Sequence, residues 1–140
     1  MMQDVLLYFF GIIFVLLAVG AVVVKVLGGG VKRRLDTAKY DAKWRQIEGQ
    51  LRDGSSGRQL AVVNADKLLD AAMQELGFRG KTMGERLKNY RTRFSDNNGI
   101  WEAHKLRNRI AHETDVHVNE QQALRALAQL KRGLKDLGAL

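Results

Sequence analysis

Arg107, Asn108 and His112 are the residues of this chain whose types and spacing could do chemistry. They lie in the run Ile100 to Glu113, where apolar residues recur with the period of a helix. At about 3.6 residues per turn, Ile100, Ala103, Leu106, Ile110 and Ala111 gather on one side, with Arg107 among them. His104, Asn108 and His112 form a polar stripe along the flank, each one turn from the next. Glu102, Lys105, Arg109 and Glu113 take the water-facing side. An arginine on an apolar face is unfavourable unless its guanidinium is paired, reaches water or meets an anion. A histidine titrates near neutral pH and can give or take a proton. The stretch therefore joins a permanent positive charge to a group suited to acid–base work.

The elements that must position these residues follow from composition and patterning. The chain has 140 residues and a formal charge of +8, which suits one domain plus an appendage. Residues 1–30 are almost wholly apolar, and the basic excess belongs to the remainder, because Asp4 and Lys25 cancel. Such a basic domain fits an anionic lipid surface, nucleic acid or an acidic protein partner. The absence of cysteine excludes disulfides and thiolate metal sites. The absence of proline favours long uninterrupted helices.

Val5 to Val24 carries no charged residue, and roughly twenty helical residues match a hydrocarbon core about 30 Å thick. A transmembrane anchor over residues 1–27 is expected. A cleaved signal peptide fits less well, because Met1-Met2-Gln3-Asp4 supplies no basic leading region. Lys25, Lys32, Arg33 and Arg34 follow the span, which places the N-terminus outside and the rest in the cytoplasm of a cell (inner) membrane protein. Residues 28–36, opening with Gly28-Gly29-Gly30, read as a flexible basic linker.

Residues 37–140 read as helices throughout. Tyr40, Trp44, Ile47 and Leu51 form one amphipathic seam. Asp53-Gly54-Ser55-Ser56-Gly57 predicts a turn, followed by a helix from about Arg58 to Leu76 with Val62, Ala65, Leu69, Met73 and Leu76 inward and Gly77 as its stop. Thr82 and Glu85 fit a capping box opening a short helix with Leu87 and Tyr90. Ser95 to Gly99 is a turn before the Arg107 helix. A last helix capped by Asn119 carries Ala123, Leu127, Leu130, Leu134 and Leu137 inward. No stretch alternates with the period of a strand. The expectation is an all-α protein, one transmembrane helix followed by a small four- to five-helix bundle.

With the helices placed, Arg107-Asn108-x-x-x-His112 resembles the motif of the HEPN superfamily: an arginine, a polar residue after it, and a closing histidine. The resemblance extends over about Lys39 to Leu137. It implies a homodimer in which two copies of the motif helix face each other, and metal-independent cleavage of single-stranded RNA in the active members. Other members serve as binding modules. The residue types suit that chemistry. His112 would move the proton, Arg107 would stabilise charge gathering at phosphorus, and Asn108 would orient. Arg107 and His112 diverge by about 140° around a straight helix, so a site shared across a two-fold axis is the more natural geometry. Members regulated by tyrosine nucleotidylation carry a tyrosine two residues past the histidine, where this chain has Thr114.

Lys105, Arg109, Arg86, Lys88, Arg91 and Arg93 are the candidate contacts to a nucleic-acid backbone, although a solvated helix face has the same appearance. No cofactor or metal is expected, because His104 and His112 lie two turns apart and His117 falls in a loop. Gly77 to Thr82 lacks the spacing of a phosphate-binding loop. The alternative is a non-catalytic, membrane-tethered interaction module binding a protein partner or an anionic surface, with Arg107 paired to a buried carboxylate.

Overall fold

The helical periods of the sequence become six α-helices and one 3-10 turn among the described residues, with no strand. The computed structural model describes residues 1–27 and 34–140. The expected Gly28–Gly30 joint, with Lys32 and Arg33, lies outside them. The chain divides into two compact units, Met1–Arg33 and Arg34–Leu140.

In the first unit, α1 runs over Met2–Leu27. Its side chains are described from Tyr8 to Val23, and every one is exposed, Phe14 and Leu17 among them. Among the described residues no helix is long and apolar enough to cross a membrane. The flanks of the expected span fall on positions 2–7 and 24–27, whose side chains lie outside the described ones.

The second unit holds α2 (Thr37–Gln50), α3 (Gly54–Glu75), α4 (Met83–Asn89), the 3-10 turn Arg91–Arg93, α5 (Asn97–His112) and α6 (Glu120–Asp136). The longest of these, α3, packs against α2, α5 and α6. It contributes Val62, Leu69 and Met73 to a core completed by Tyr40 and Trp44 of α2, Ile100 of α5, and Leu130 and Leu134 of α6. Close approach of α6 depends on Gly133. A Cβ there would lie 2.9 Å from Ile100 Cδ1 and 3.1 Å from Leu69 Cδ2.

Side-chain caps fix the helix ends, and the one at Asp96 starts α5 at Asn97, inside the expected Ser95–Gly99 turn. The Asp36 carboxylate accepts from Lys39 N at 3.1 Å, and Asp96 accepts from Gly99 N at 2.9 Å. Asn119 and Gln122 form a complete capping box. Gly77, at φ 80°, ends α3 in the left-handed conformation that glycine adopts without strain. Polar ties add direction to the packing of α2. Tyr40 donates to Glu75 Oε2 at 2.9 Å, and burial together with that carboxylate pushes the phenol pKa upward. Glu48 accepts from Trp44 Nε1 at 2.6 Å and from Lys131 Nζ at 2.8 Å, joining α2 to α6. The Lys131 hydrogen bond is the chief cause holding its carboxyl below the usual range. Thr37 and Ala38 share a surface groove with Lys135 and Leu140, so the two ends of the bundle are neighbours.

Three details differ from the sequence expectation. The Asp53–Gly57 cluster is not a loop; helix α3 already begins at Gly54, because Gly57 lets the helix pass close to Gln50 O. Leu35, assigned to the linker, is buried in the core. Thr82 caps Glu85 N at 3.2 Å, but the Glu85 carboxylate reaches Lys81 N instead of the cap residue.

Leu69→Ala should lower unfolding stability by about 2–5 kcal/mol by leaving a cavity. Gly133→Val should lower it by about 1–3 kcal/mol through overpacking. Urea midpoints measure both.

Candidate functional site

Helix α5 is amphipathic, but its two halves are buried differently. Ile100 and Ala103 are its only buried residues. Beyond them Leu106, Arg107, Asn108 and Ile110 are half-buried, while Ala111 and His112 are exposed. The expected inward position of Ala111 is therefore corrected: Leu106 and Ile110 still pack against the core, while Ala111 and His112 at the end of α5 are exposed.

Arg107 has its partner within the chain. Asp66 of α3 is 2% exposed, and its Oδ2 lies 3.4 Å from Arg107 Nε. That distance suits an ion pair, yet Nε is buried with no hydrogen-bond partner, because the two groups are misaligned. The contact is thus an electrostatic one. Arg107 Nη1 donates to Asn108 Oδ1 at 2.9 Å. The other Asp66 oxygen, Oδ1, meets His104 Nδ1 at 2.9 Å. One buried carboxylate therefore holds two cationic or potentially cationic groups from successive turns of α5.

A turn later on α3, Asp70 repeats the device with α4. Arg86 gives it a two-pronged clamp, Nε and Nη2 each at 2.8 Å, and donates Nη1 to the Gly80 carbonyl. Arg86 is 6% exposed. Its Nε, Nη1 and Nη2 each have a partner within the chain, and the side chain also forms part of the groove wall described next. It is the fastener of α4.

Between these helices opens a groove of ≈ 710 Å³ whose walls include Asp66, Asp70, Thr82, Gly84, Trp101 and His104. Lys105, Arg107 and Asn108 also line it. His112 does not, nor do Arg109, Lys88, Arg91 and Arg93. Those last four are exposed. Arg109 pairs with Glu113 at 3.4 Å, and Arg93 lies over the Phe78 ring, 5.7 Å from its centroid. The structure therefore brings Arg107 and Asn108 together with His104 and Asp66, and leaves His112 apart from them. No group of three or more acidic or histidine side chains able to hold a metal occurs among the described residues.

Asp66 is the residue that motif reasoning passes over. Its signal was present: Val62, Asp66, Leu69 and Met73 recur at helical spacing, so a carboxylate interrupts an apolar stripe. Compared with known protein families, curated proteins and solved structures, the chain matches none.

Burial pushes the Asp66 carboxyl above the ordinary aspartate range, more than the His104 hydrogen bond and the nearby Arg107 charge draw it down. The neighbouring Asp70 adds to the rise. A carboxyl raised on folding binds its proton more tightly in the native state than in the unfolded chain. Its stabilisation is complete below the unfolded value near pH ~4 and is lost as pH rises through the native value. Asp66→Asn has no such proton to bind. The stability advantage of the native chain over Asp66→Asn should therefore be largest in acid and shrink as pH rises. Denaturant midpoints across roughly pH 3 to 7 should show that slope; a constant difference would contradict it.

Proposed function

We propose that this chain is a membrane-tethered, HEPN-like protein that acts on single-stranded RNA as a homodimer and cleaves it without a metal. The observation that carries the reading is the bare end of α5. On the turns that bear Arg107 and Asn108, Leu106 and Ile110 are only half-buried, and beyond them Ala111 and His112 are exposed. A second copy packed on this end would cover the apolar positions and bring two motifs to one cleft.

In such a cleft, His112 takes the proton from a ribose 2′-hydroxyl, and the oxygen attacks the adjacent phosphorus. The 5′-oxygen leaves with a proton given up by the protonated histidine of the second motif, so the products are a cyclic 2′,3′-phosphate and a 5′-hydroxyl. Arg107 Nη groups would carry the added negative charge at phosphorus, and Asn108 fixes the guanidinium through the bond already present. Lys105, Arg109, Lys88, Arg91 and Arg93 supply exposed positive charge for the RNA backbone.

Tethering rests on the sequence Val5–Val24, which has no charged residue, on the 26-residue length of α1, and on side chains exposed all round that helix. A helix apolar on every face suits lipid. The basic residues after it favour a cytoplasmic side for the bundle.

A second reading is favoured by one observation, the Arg107–Asp66 pair. There the arginine is structural, and the bundle is a non-catalytic module that binds a protein partner or an anionic surface. Cleavage of mixed single-stranded RNA in chelator separates the two, using the full chain in lipid nanodiscs. Arg107→Ala and His112→Ala should each lower the rate on the order of a hundredfold or more. His112→Ala should leave the melting temperature unchanged, because the side chain is exposed. An inactive parent of correct fold, or a fully active His112→Ala, would favour the binding module.

A further inference from the structure

The histidine that the motif does not include is the one the fold has fixed in place. His104 sits on α5 with its side chain 12% exposed. Its Nδ1 is held by a carboxylate that is itself almost fully buried, and its ring lies 5.8 Å from that of Trp101. With a proton on Nδ1 directed at Asp66, the second nitrogen, Nε2, is the atom free to meet a ligand. Nε2 has no hydrogen-bond partner among the described residues, and it lines the groove opposite Gly84. A Cβ at Gly84 would approach within 3.9 Å of Nε2 and within 3.2 Å of the Trp101 ring. Glycine there leaves the approach to the histidine open.

The charge around the groove favours an anion. Five lysines and arginines line it against two carboxylates. Both carboxylates are already engaged, Asp66 by Arg107 and Asp70 by Arg86. Lys67 and Lys81 are exposed on the rim with no ion-pair partner among the described residues. Lys105 is also on the wall, paired with Glu102 at 2.8 Å where both are exposed. A surface pair of that kind exchanges readily for a stronger anion.

We propose that this groove is a phosphate-binding site, with His104 Nε2 as the direct contact and Lys67 and Lys81 as its cations. The proposal deepens the RNA reading, on which it rests only for what carries the phosphate. Asp66 is a positioning residue that acts through His104, by fixing the ring and keeping the proton on Nδ1. The histidine meeting the phosphate in this groove is thus His104, and His112 has no part in it.

The test uses the full chain in lipid nanodiscs with three probes: inorganic phosphate, uridine monophosphate and a short single-stranded RNA. Calorimetry reads affinity, and nitrogen-labelled histidine NMR reads the ring. The His104 Nε2 resonance should move saturably with at least one probe, while that of His112 stays still. Lys67→Glu with Lys81→Glu, at exposed positions that do not bear on folding, should weaken binding on the order of tenfold or more, equivalent to about 1.4 kcal/mol. His104→Gln should weaken it likewise, and His112→Ala should leave it intact. In Asp66→Asn the phosphate-induced movement of the His104 Nε2 resonance should shrink while the chain stays folded, a change that a purely structural aspartate would not produce. Binding of RNA alone would assign a polynucleotide groove, and equal binding of the monophosphate a nucleotide site; both support the proposal. An unmoved His104 resonance with all three probes would overturn it, as would a charge-reversal pair that binds like the parent. If the chain binds phosphate here yet cleaves no RNA, the nuclease reading falls and this site stands.

Discussion

A carboxylate in the middle of a helical core persists only if another helix brings it positive charge. Asp66 is in that position, and α5 answers with His104 and Arg107. The arrangement is expensive to break in one place. Removing a single partner leaves the remaining charge buried, which costs more than the pair contributes over an apolar substitute. It therefore constrains the relative rotation of α3 and α5 more sharply than their apolar contacts do. Leucine and isoleucine tolerate small rotations of a helix, whereas a carboxylate facing two fixed nitrogens does not.

The repetition of the device one turn later gives α3 a second task. Asp70 holds Arg86, and through it the seven-residue α4, a helix too short to be stable by its own hydrogen bonds. Gly80 and Thr82 complete the attachment, the first as acceptor for Arg86 and the second as cap. Two neighbouring aspartates on one helix thus set the positions of both other walls of the groove. The groove is a by-product of how α4 and α5 are fastened, and its shape should be as rigid as those ionic contacts.

Much of the fold was legible in the sequence, for reasons that differ between elements. The α6 seam of Ala123, Leu127, Leu130 and Leu134 is apolar at each inward position, so its buried face followed from period alone. The caps at Thr82 and Asn119 were readable because capping is local chemistry. The beginning of α3 was not. Gly54, Ser55, Ser56 and Gly57 are turn formers by propensity, and only close packing on Gln50 makes a helix the better use of them. The site divides in the same way. Arg107 was conspicuous as an arginine on an apolar face, but its partner lies forty-one positions away on another helix. Pairings of that range depend on tertiary placement, which no window of sequence contains. The Arg86 clamp was hidden for the same cause, since a buried clamp and a solvated basic face have identical local composition.

The closeness of the bundle's two ends bears on how it would transmit load. Chain entering at Thr37 meets α6 directly, through the groove shared with Lys135 and Leu140 and through Lys131 bridging to Glu48. Tension applied at that entry would shear α2 against α6. The α3–α5 contact, where Asp66 sits, lies off that path. A bundle closed in this way can be held by a tether without straining its groove, and a circularly permuted chain, joined across the gap and opened in an exposed loop, could retain the same core.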